Sequence, residues 1–287
     1  MTYSEFIAHH ELSIHMGFSL GVFTLMAVWE LLAPRRSLTA SKVVRWANNL
    51  GLAILNTAIL RLLFPAAAVG VAMFTSAHGW GALNHFAVPL PVAVVLSLVA
   101  LDFIIYLQHV LMHAVPVLWR LHRVHHADPD YDVTTGSRFH PVEIVLSMLV
   151  KFSAIVVLGA PPLAVVIFEV ILNTMSLFNH GNVRLRLGID RVLRLVVVTP
   201  DMHRVHHSVE GNEANSNFSF NLSIWDRICG TYIDQPRKGH HAMTIGIDNY
   251  REARLVSWLP GILALPFLGK AKGYAINWRG WSTPEDK

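Results

Sequence analysis

Runs of about twenty residues almost free of charge recur along this chain, and they fix its solvent before any motif is read. Ile14–Ala33 carries a single acid, Glu30, near its end; Leu50–Ser76 is interrupted by Arg61; and Pro91–Leu111 begins inside the turn signal PLP. A helix needs about 20 mostly apolar residues to cross roughly 30 Å of hydrocarbon, and these three runs are long enough. Val142–Leu158 and Leu163–Phe178 are shorter and are divided by GAPP. That pattern reads as a helical hairpin dipping into the bilayer and returning, or as two steep short spans. Leu255–Leu268 is apolar but holds Pro260, Gly261 and Pro266, so it is expected to lie at the interface rather than to span. Composition agrees: 53% of residues are hydrophobic and 15% charged, where a soluble domain has about 25% charged. The flank SEFIAHHE lacks the basic start of a signal peptide, so the first run reads as a transmembrane helix.

Charge placement gives an orientation. The loop PRRSLTASKVVR holds Arg35, Arg36, Lys42 and Arg45, whereas AHGWGALNHFAVP holds no Lys or Arg. By the positive-inside rule the first loop is expected in the cytoplasm and the second outside. The third run then ends in the cytoplasm, and a returning hairpin brings the chain back to that side. The sequence pI of about 9.4 comes from Lys and Arg flanking apolar runs. It points to a membrane surface rather than to nucleic acid. The one cysteine, Cys229, excludes an intrachain disulfide and a thiolate metal site, and leaves His as the abundant metal-ligand type.

Those histidines are patterned. HRVHH occurs at His122–His126 and again at His203–His207. With 17 His in 287 residues, two copies of HxxHH are far beyond chance. The third run ends DFIIYLQHVLMH, which places Asp102, Tyr106, His109 and His113 at offsets that share one face of a helix. His109 and His113, one turn apart, can hold one ion together. Asp102 and Tyr106 lie deeper, where a side chain suits orienting a ligating imidazole. Within HxxHH the first His and one of the later pair share a face while the neighbour points elsewhere, so one motif can reach two metals. His109, His113, His122, His125, His126, His203, His206 and His207 are too many imidazoles for one ion and suit two. His180, in FNHGN, is a ninth candidate, and His140, in RFHPVE, a tenth. The remaining His read as polar residues at the membrane boundary, with His240 and His241 as a solvated pair. Imidazole binds Fe, Zn, Cu and Ni, so the ligands alone leave the metal open.

The ordered set HxxxH, HxxHH, HxxHH across apolar runs resembles the fatty acid hydroxylase and sterol desaturase superfamily of integral-membrane non-haem diiron oxidases. LWRLHRVHH resembles its second box and TPDMHRVHHS its last, followed by NLSIWDRICGTY, which is similar to its closing W-D-x-x-x-G-T-Y segment. FNHGN resembles the single-His element between the boxes. The resemblance covers about Val99 to Asp234. It implies two Fe ions, O2 as co-substrate, and a lipid C–H bond oxidised by hydroxylation or desaturation. The chain shows no dinucleotide, flavin or haem motif, so a separate electron donor, ferredoxin- or cytochrome-type, is expected.

The expected protein is therefore an all-α polytopic helical bundle with a cytoplasmic His-rich cap, an oxidoreductase acting on a fatty acyl, sterol or related lipid. Residues 1–96 would form the N-terminal transmembrane part, 97–235 the catalytic region, and 236–287 a tail with the interfacial segment. If the source is bacterial, the location is the cytoplasmic membrane. Three alternatives compete. An ether-lipid monooxygenase of the alkylglycerol type would share the family. A non-redox zinc hydrolase would need fewer His and an acid/base carboxylate beside them. A metal transporter would place its ligands mid-span, whereas these cluster at span ends.

Overall fold

Prolines and one left-handed glycine decide where the long helices start and stop. The computed structural model describes residues 3–271, with side chains from 10 onward; the tail beyond 271 lies outside the described residues. Helix α1 (Tyr3–Leu32) is followed by α2 (Lys42–Leu63), capped by Ser41, whose hydroxyl accepts from the Val44 amide. The long second run does not continue unbroken to Ser76. Phe64 and Pro65 end α2, because Pro65 has no amide hydrogen to extend the ladder. A second helix, α3 (Ala67–Ala77), then packs Ala68, Val69 and Ala72 against Ile155, Ala160 and Val165. One turn, α4 (Ala82–His85), leads to α5 (Leu90–Ala114), which returns the chain. Pro116 starts α6 (Pro116–His126) directly afterwards.

The GAPP segment makes a helical hairpin. Helices α7 (Pro141–Leu158) and α8 (Pro162–Asn179) are joined through Gly159, whose φ of +71° is the left-handed cap that a Cβ disfavours. A Cβ there would also lie 2.7 Å from the Trp80 carbonyl, where the α3–α5 connection crosses the turn. Each hairpin helix has 18 residues, about 27 Å at 1.5 Å per residue, enough to cross most of the hydrocarbon. Five segments are long and apolar enough to span: His10–Leu32, Lys42–His85, Leu90–Ala114, Pro141–Leu158 and Pro162–Asn179. They leave Leu20, Leu25, Ile54, Leu62, Val95 and Val157 exposed, as a bundle solvated by lipid must. Among the described residues no strand forms; Pro34 and Val183 make one of the isolated bridges. The protein is thus an all-helical integral membrane protein.

At one end of the bundle lie the ends of α1, α5 and α8, the starts of α2 and α7, and the short helices α9 (Leu187–Leu193) and α10 (Pro200–His206). The basic α1–α2 loop is tied down there rather than left free. Arg45, fully buried, donates to Asp128 (2.6 Å) and Asp132 (2.6 Å); Arg35 pairs with Asp201 at 3.1 Å. The Leu255–Leu268 stretch forms short helices, Ala253–Val256 and Leu259–Ala264, and does not span. Its Ile262 and Leu265 pack on Val124 of α6, and its Leu265 carbonyl accepts from Arg123 at 2.6 Å. This segment roofs the first HRVHH.

Candidate metal centre

Nine histidines gather at that end, and they divide into two groups. His109, His113, His122, His126 and His206 offer ring nitrogens all within 4.8 Å of one another; His125, His180, His203 and His207 do the same. The two groups abut: the His126 and His207 rings stack with centroids 4.5 Å apart. Helical spacing explains the division. In the first HRVHH, His122 and His126 are one turn apart and enter the first group, while His125 turns toward the second. In the second copy, His203 and His207 enter the second group and His206 crosses to the first. Each copy thus contributes two rings to one group and one ring to the other.

The outer nitrogens are held by acceptors, and that sets the tautomers. His109 Nδ1 lies 2.7 Å from the Phe218 carbonyl, His206 Nδ1 2.7 Å from the Ser216 carbonyl, and His180 Nδ1 2.7 Å from the Ser176 carbonyl. A carbonyl only accepts, so each Nδ1 carries the hydrogen and each Nε2 keeps a lone pair. His122 Nδ1 meets Glu143 Oε1 at 2.6 Å, and His113 Nδ1 lies 3.3 Å from Asn215 Oδ1. The Nε2 atoms of His109, His122, His206 and His207 are buried and have no hydrogen-bond partner. His180 Nε2 faces both His125 Nε2 and His203 Nε2 at 3.1 Å. One lone pair accepts from a single donor along its axis, so hydrogen bonding cannot satisfy all three of these converging nitrogens. A cation can. Burial, with neighbouring imidazoles second, drives His125 and His126 well below their usual pKa; burial also leads for His203, His206 and His207. Burial takes His180 to about 4. These six rings are therefore neutral at pH 7, the form that ligates. The donor set fits two borderline divalent ions such as iron.

The tenth candidate sits elsewhere. His140 caps α7, its Nδ1 accepting from the Val142 amide at 3.2 Å, and it joins neither group. Asp102 and Tyr106 do not make the expected contact with a ligating ring. Asp102 Oδ2 accepts from Trp225 Nε1 at 2.8 Å and the Leu222 amide at 3.2 Å, and Tyr106 Oη lies 3.1 Å from Thr231 Oγ1. Sharing a helix face fixes direction but not depth: seven residues separate Asp102 from His109, about 10 Å along the axis. Both residues anchor the WDRICGTY segment instead. Asp226 of that segment accepts from the Phe218 and Ser219 amides, and so holds the strip of backbone that binds His109 and His206. His240, expected in solvent, is buried 3.6 Å from Asp201.

Several contributors were missed in the sequence. Glu143 had a visible signal, as the one carboxylate in the first turn of α7. The carbonyls of Ser176, Ser216 and Phe218 had none, since every residue carries one. Phe139 stacks on His125 at 4.5 Å. Gly136 lets its turn approach α8; a Cβ there would lie 2.6 Å from the Ser176 carbonyl and 3.2 Å from His180 Nδ1.

The family model for fatty acid hydroxylases matches residues 94–231, which include all nine rings. The chain is 32% identical over 189 residues to the ornithine lipid hydroxylase OlsE of Rhizobium tropici, covering 66% of this chain and 54% of that protein. It is 28% identical over 159 residues to the alkylglycerol monooxygenase of Homo sapiens, covering 55% of this chain and 35% of that protein. With the same enzyme of Xenopus tropicalis it shares 27% over 191 residues, 66% of this chain and 38% of the other. Over residues 94–231, which hold the metal centre, this chain is thus similar to the fatty acid hydroxylase family. It spans about half the length of the first of these relatives and little more than a third of the other two. No solved structure matches it significantly.

Proposed function

We propose that this protein is a membrane-embedded, O2-dependent lipid hydroxylase whose centre is two iron ions. His109, His113, His122, His126 and His206 would hold one, and His125, His180, His203 and His207 the other. One observation carries the reading: nine buried rings each converge a ring nitrogen in two abutting groups, five of them with Nδ1 fixed by an acceptor. Iron bound there would supply the O2 chemistry that side chains lack. The chain's own part is to keep the rings neutral, aim them and exclude bulk water.

Relatives named for hydroxylating ornithine lipid and oxidising alkylglycerol support a polar membrane lipid as substrate. One is named a hydroxylase and the other a monooxygenase, so hydroxylation is preferred to desaturation. The ends of α5 and α8 bring the rings to the edge of the hydrocarbon, where a chain can reach them. The basic α1–α2 loop supports a cytoplasmic centre, within reach of a soluble ferredoxin- or cytochrome-type donor.

The test is anaerobic purification with elemental analysis, followed by lipid profiling of cells with and without the protein. About two irons per chain and lipid species heavier by one oxygen are expected. Tightly bound zinc, one ion per chain, or unchanged lipids with active protein would overturn the reading.

A further inference from the structure

The α1–α2 loop meets the segment after His180 beside the metal centre, and between them lies a cleft of about 540 Å³. Arg35, Arg184, Leu185, Arg186, Leu187 and His241 line it; no acid is among them. Arg35 is already committed on one side: its Nε donates to both Asp201 oxygens, at 3.1 and 3.2 Å, and its Nη1 lies 2.8 Å from His241 Nε2. Arg184 and Arg186 are different. The Arg184 backbone is pinned by its amide to the Ala33 carbonyl. Both side chains are exposed and have no hydrogen-bond or ion-pair partner among the described residues. Two free guanidiniums on one cleft, with a third behind them, make a receptor for an anion.

The cleft also has a defined depth. Leu31 and Leu32, 69% and 80% exposed, end the lipid-facing surface of α1, and Pro34, two residues on, pairs with Val183. The opposite wall runs into α9, which exposes Leu187, Ile189 and Val192, followed by exposed Leu195 and Val196. Basic residues just past a span, beside a short helix with exposed apolar side chains, sit at headgroup level.

We propose that this cleft binds the phosphate of an anionic membrane lipid between Arg184 and Arg186, backed by Arg35, with the lipid chains lying against Leu31, Leu32 and α9. Free phosphate would satisfy the same arginines, but the apolar rim favours a ligand that carries chains. The proposal rests on the membrane-embedded fold and not on the oxygenase reading. If both hold, the Arg35–Asp201 pair seats the lipid at the start of α10, which carries His203 and His206.

The experiment is a binding titration of the full chain in uncharged detergent micelles with phosphatidylglycerol, phosphatidylcholine and inorganic phosphate, followed by native mass spectrometry. The intact protein is expected to prefer phosphatidylglycerol. A surface arginine near anionic lipid contributes about fivefold, so the Arg184→Gln/Arg186→Gln double variant should lose about 25-fold. Arg191→Gln, on the same segment but outside the cleft, should lose less than about twofold. Because the two side chains bond nothing among the described residues, metal content and melting temperature of the double variant should match the parent. Equal affinity for both lipids, an unaffected double variant, or an equal loss in Arg191→Gln would overturn the proposal. So would inorganic phosphate binding as tightly as phosphatidylglycerol, which would mark a soluble-anion site. Phosphatidylglycerol binding as expected, in a protein that oxidises no lipid, would uphold the cleft and overturn the function proposed above.

Discussion

The two HRVHH copies are identical in sequence, and their surroundings are not. Both divide their rings by the same helical rule, with His122 and His126 against His125 in one copy and His203 and His207 against His206 in the other. Around the first copy, Arg123 reaches outward to the Leu265 and Leu268 carbonyls and over the Tyr250 ring, and His122 is held by the Glu143 carboxylate. Around the second, Arg204 stays internal, bonded to Asp201 and the Gly181 carbonyl beneath Tyr131, and His206 is held by a backbone carbonyl. A repeated motif thus dictates which ring goes where, while unrelated parts of the chain supply what holds each ring. One copy leans on a side chain that mutation can remove; the other leans on backbone that mutation cannot.

The largest effect should come from the crossed rings. His125→Ala and His206→Ala each take from one group the ring lent by the other copy. Each is expected to lower lipid oxidation at least about 100-fold, and the metal count should fall in both. Independent copies would behave differently: one variant would keep about half the activity and one full ion, and that result would break the comparison. Next is Glu143→Gln. The amide still fits but removes the charge that orients His122, and loss of such an outer partner costs about 10- to 100-fold in metal affinity or activity. Metal titration should show the loss at the five-His group. An unchanged affinity would mean that the carboxylate and carbonyl supports are equivalent.

What could be read from the sequence follows from what has a period. The spans and the assignment of HxxxH and HxxHH rings to shared faces rest on 3.6-residue geometry, and His109, His113, His122, His125, His126, His203, His206 and His207 come together as that spacing implies. His180 was legible because it falls at the turn where α8 returns to the same end. The break at Phe64–Ala66 is not visible in hydropathy, because apolar residues flank Pro65 on both sides and a missing amide hydrogen leaves no mark there. Asp102 was placed on the right face at the wrong depth. The ties Arg45–Asp128 and Arg35–Asp201 join residues 83 and 166 positions apart, and no local pattern announces them. They also change the meaning of the basic loop, whose Arg35 and Arg45 are internal clamps as well as a topological signal.

A pH scan of metal-free protein probes both copies at once. Burial holds His180 at about 4 and drives His125 and His203 well below the ordinary value. An unfolded His titrates near about 6.5, so below that pH the unfolded chain binds more protons than the folded one. Stability should therefore be level above about pH 6.5 and fall as pH drops from there toward 4. Bound metal blocks the Nε2 atoms and keeps the folded rings from taking protons, so loaded protein should start from a higher melting temperature, begin to fall at the same pH and go on falling through pH 4. Melting temperatures of chelated and loaded protein between pH 8 and 4 check this. A chelated protein level down to pH 4.5 would mean that the rings are not buried as neutral groups.

The smallest effect should come from Asp102→Asn, and of the two copies it bears on the second. Asp102 reaches His206 only at a distance: it holds Trp225 and the Leu222 amide, the same segment brings Asp226 to the Phe218 amide, and the Ser216 carbonyl two residues earlier meets His206. Asparagine keeps an oxygen that can still accept from Trp225 Nε1. The variant loses part of a charge-assisted bond, about 1 kcal/mol, which a modest fall in melting temperature would register. Metal affinity should change by less than about threefold, well below the effect of Glu143→Gln, because the last link to His206 is a carbonyl fixed by several bonds rather than by Asp102 alone. If Asp102→Asn instead lost metal as severely as Glu143→Gln, the segment would be acting as one stiff support, and the second copy would depend on a side chain as much as the first does.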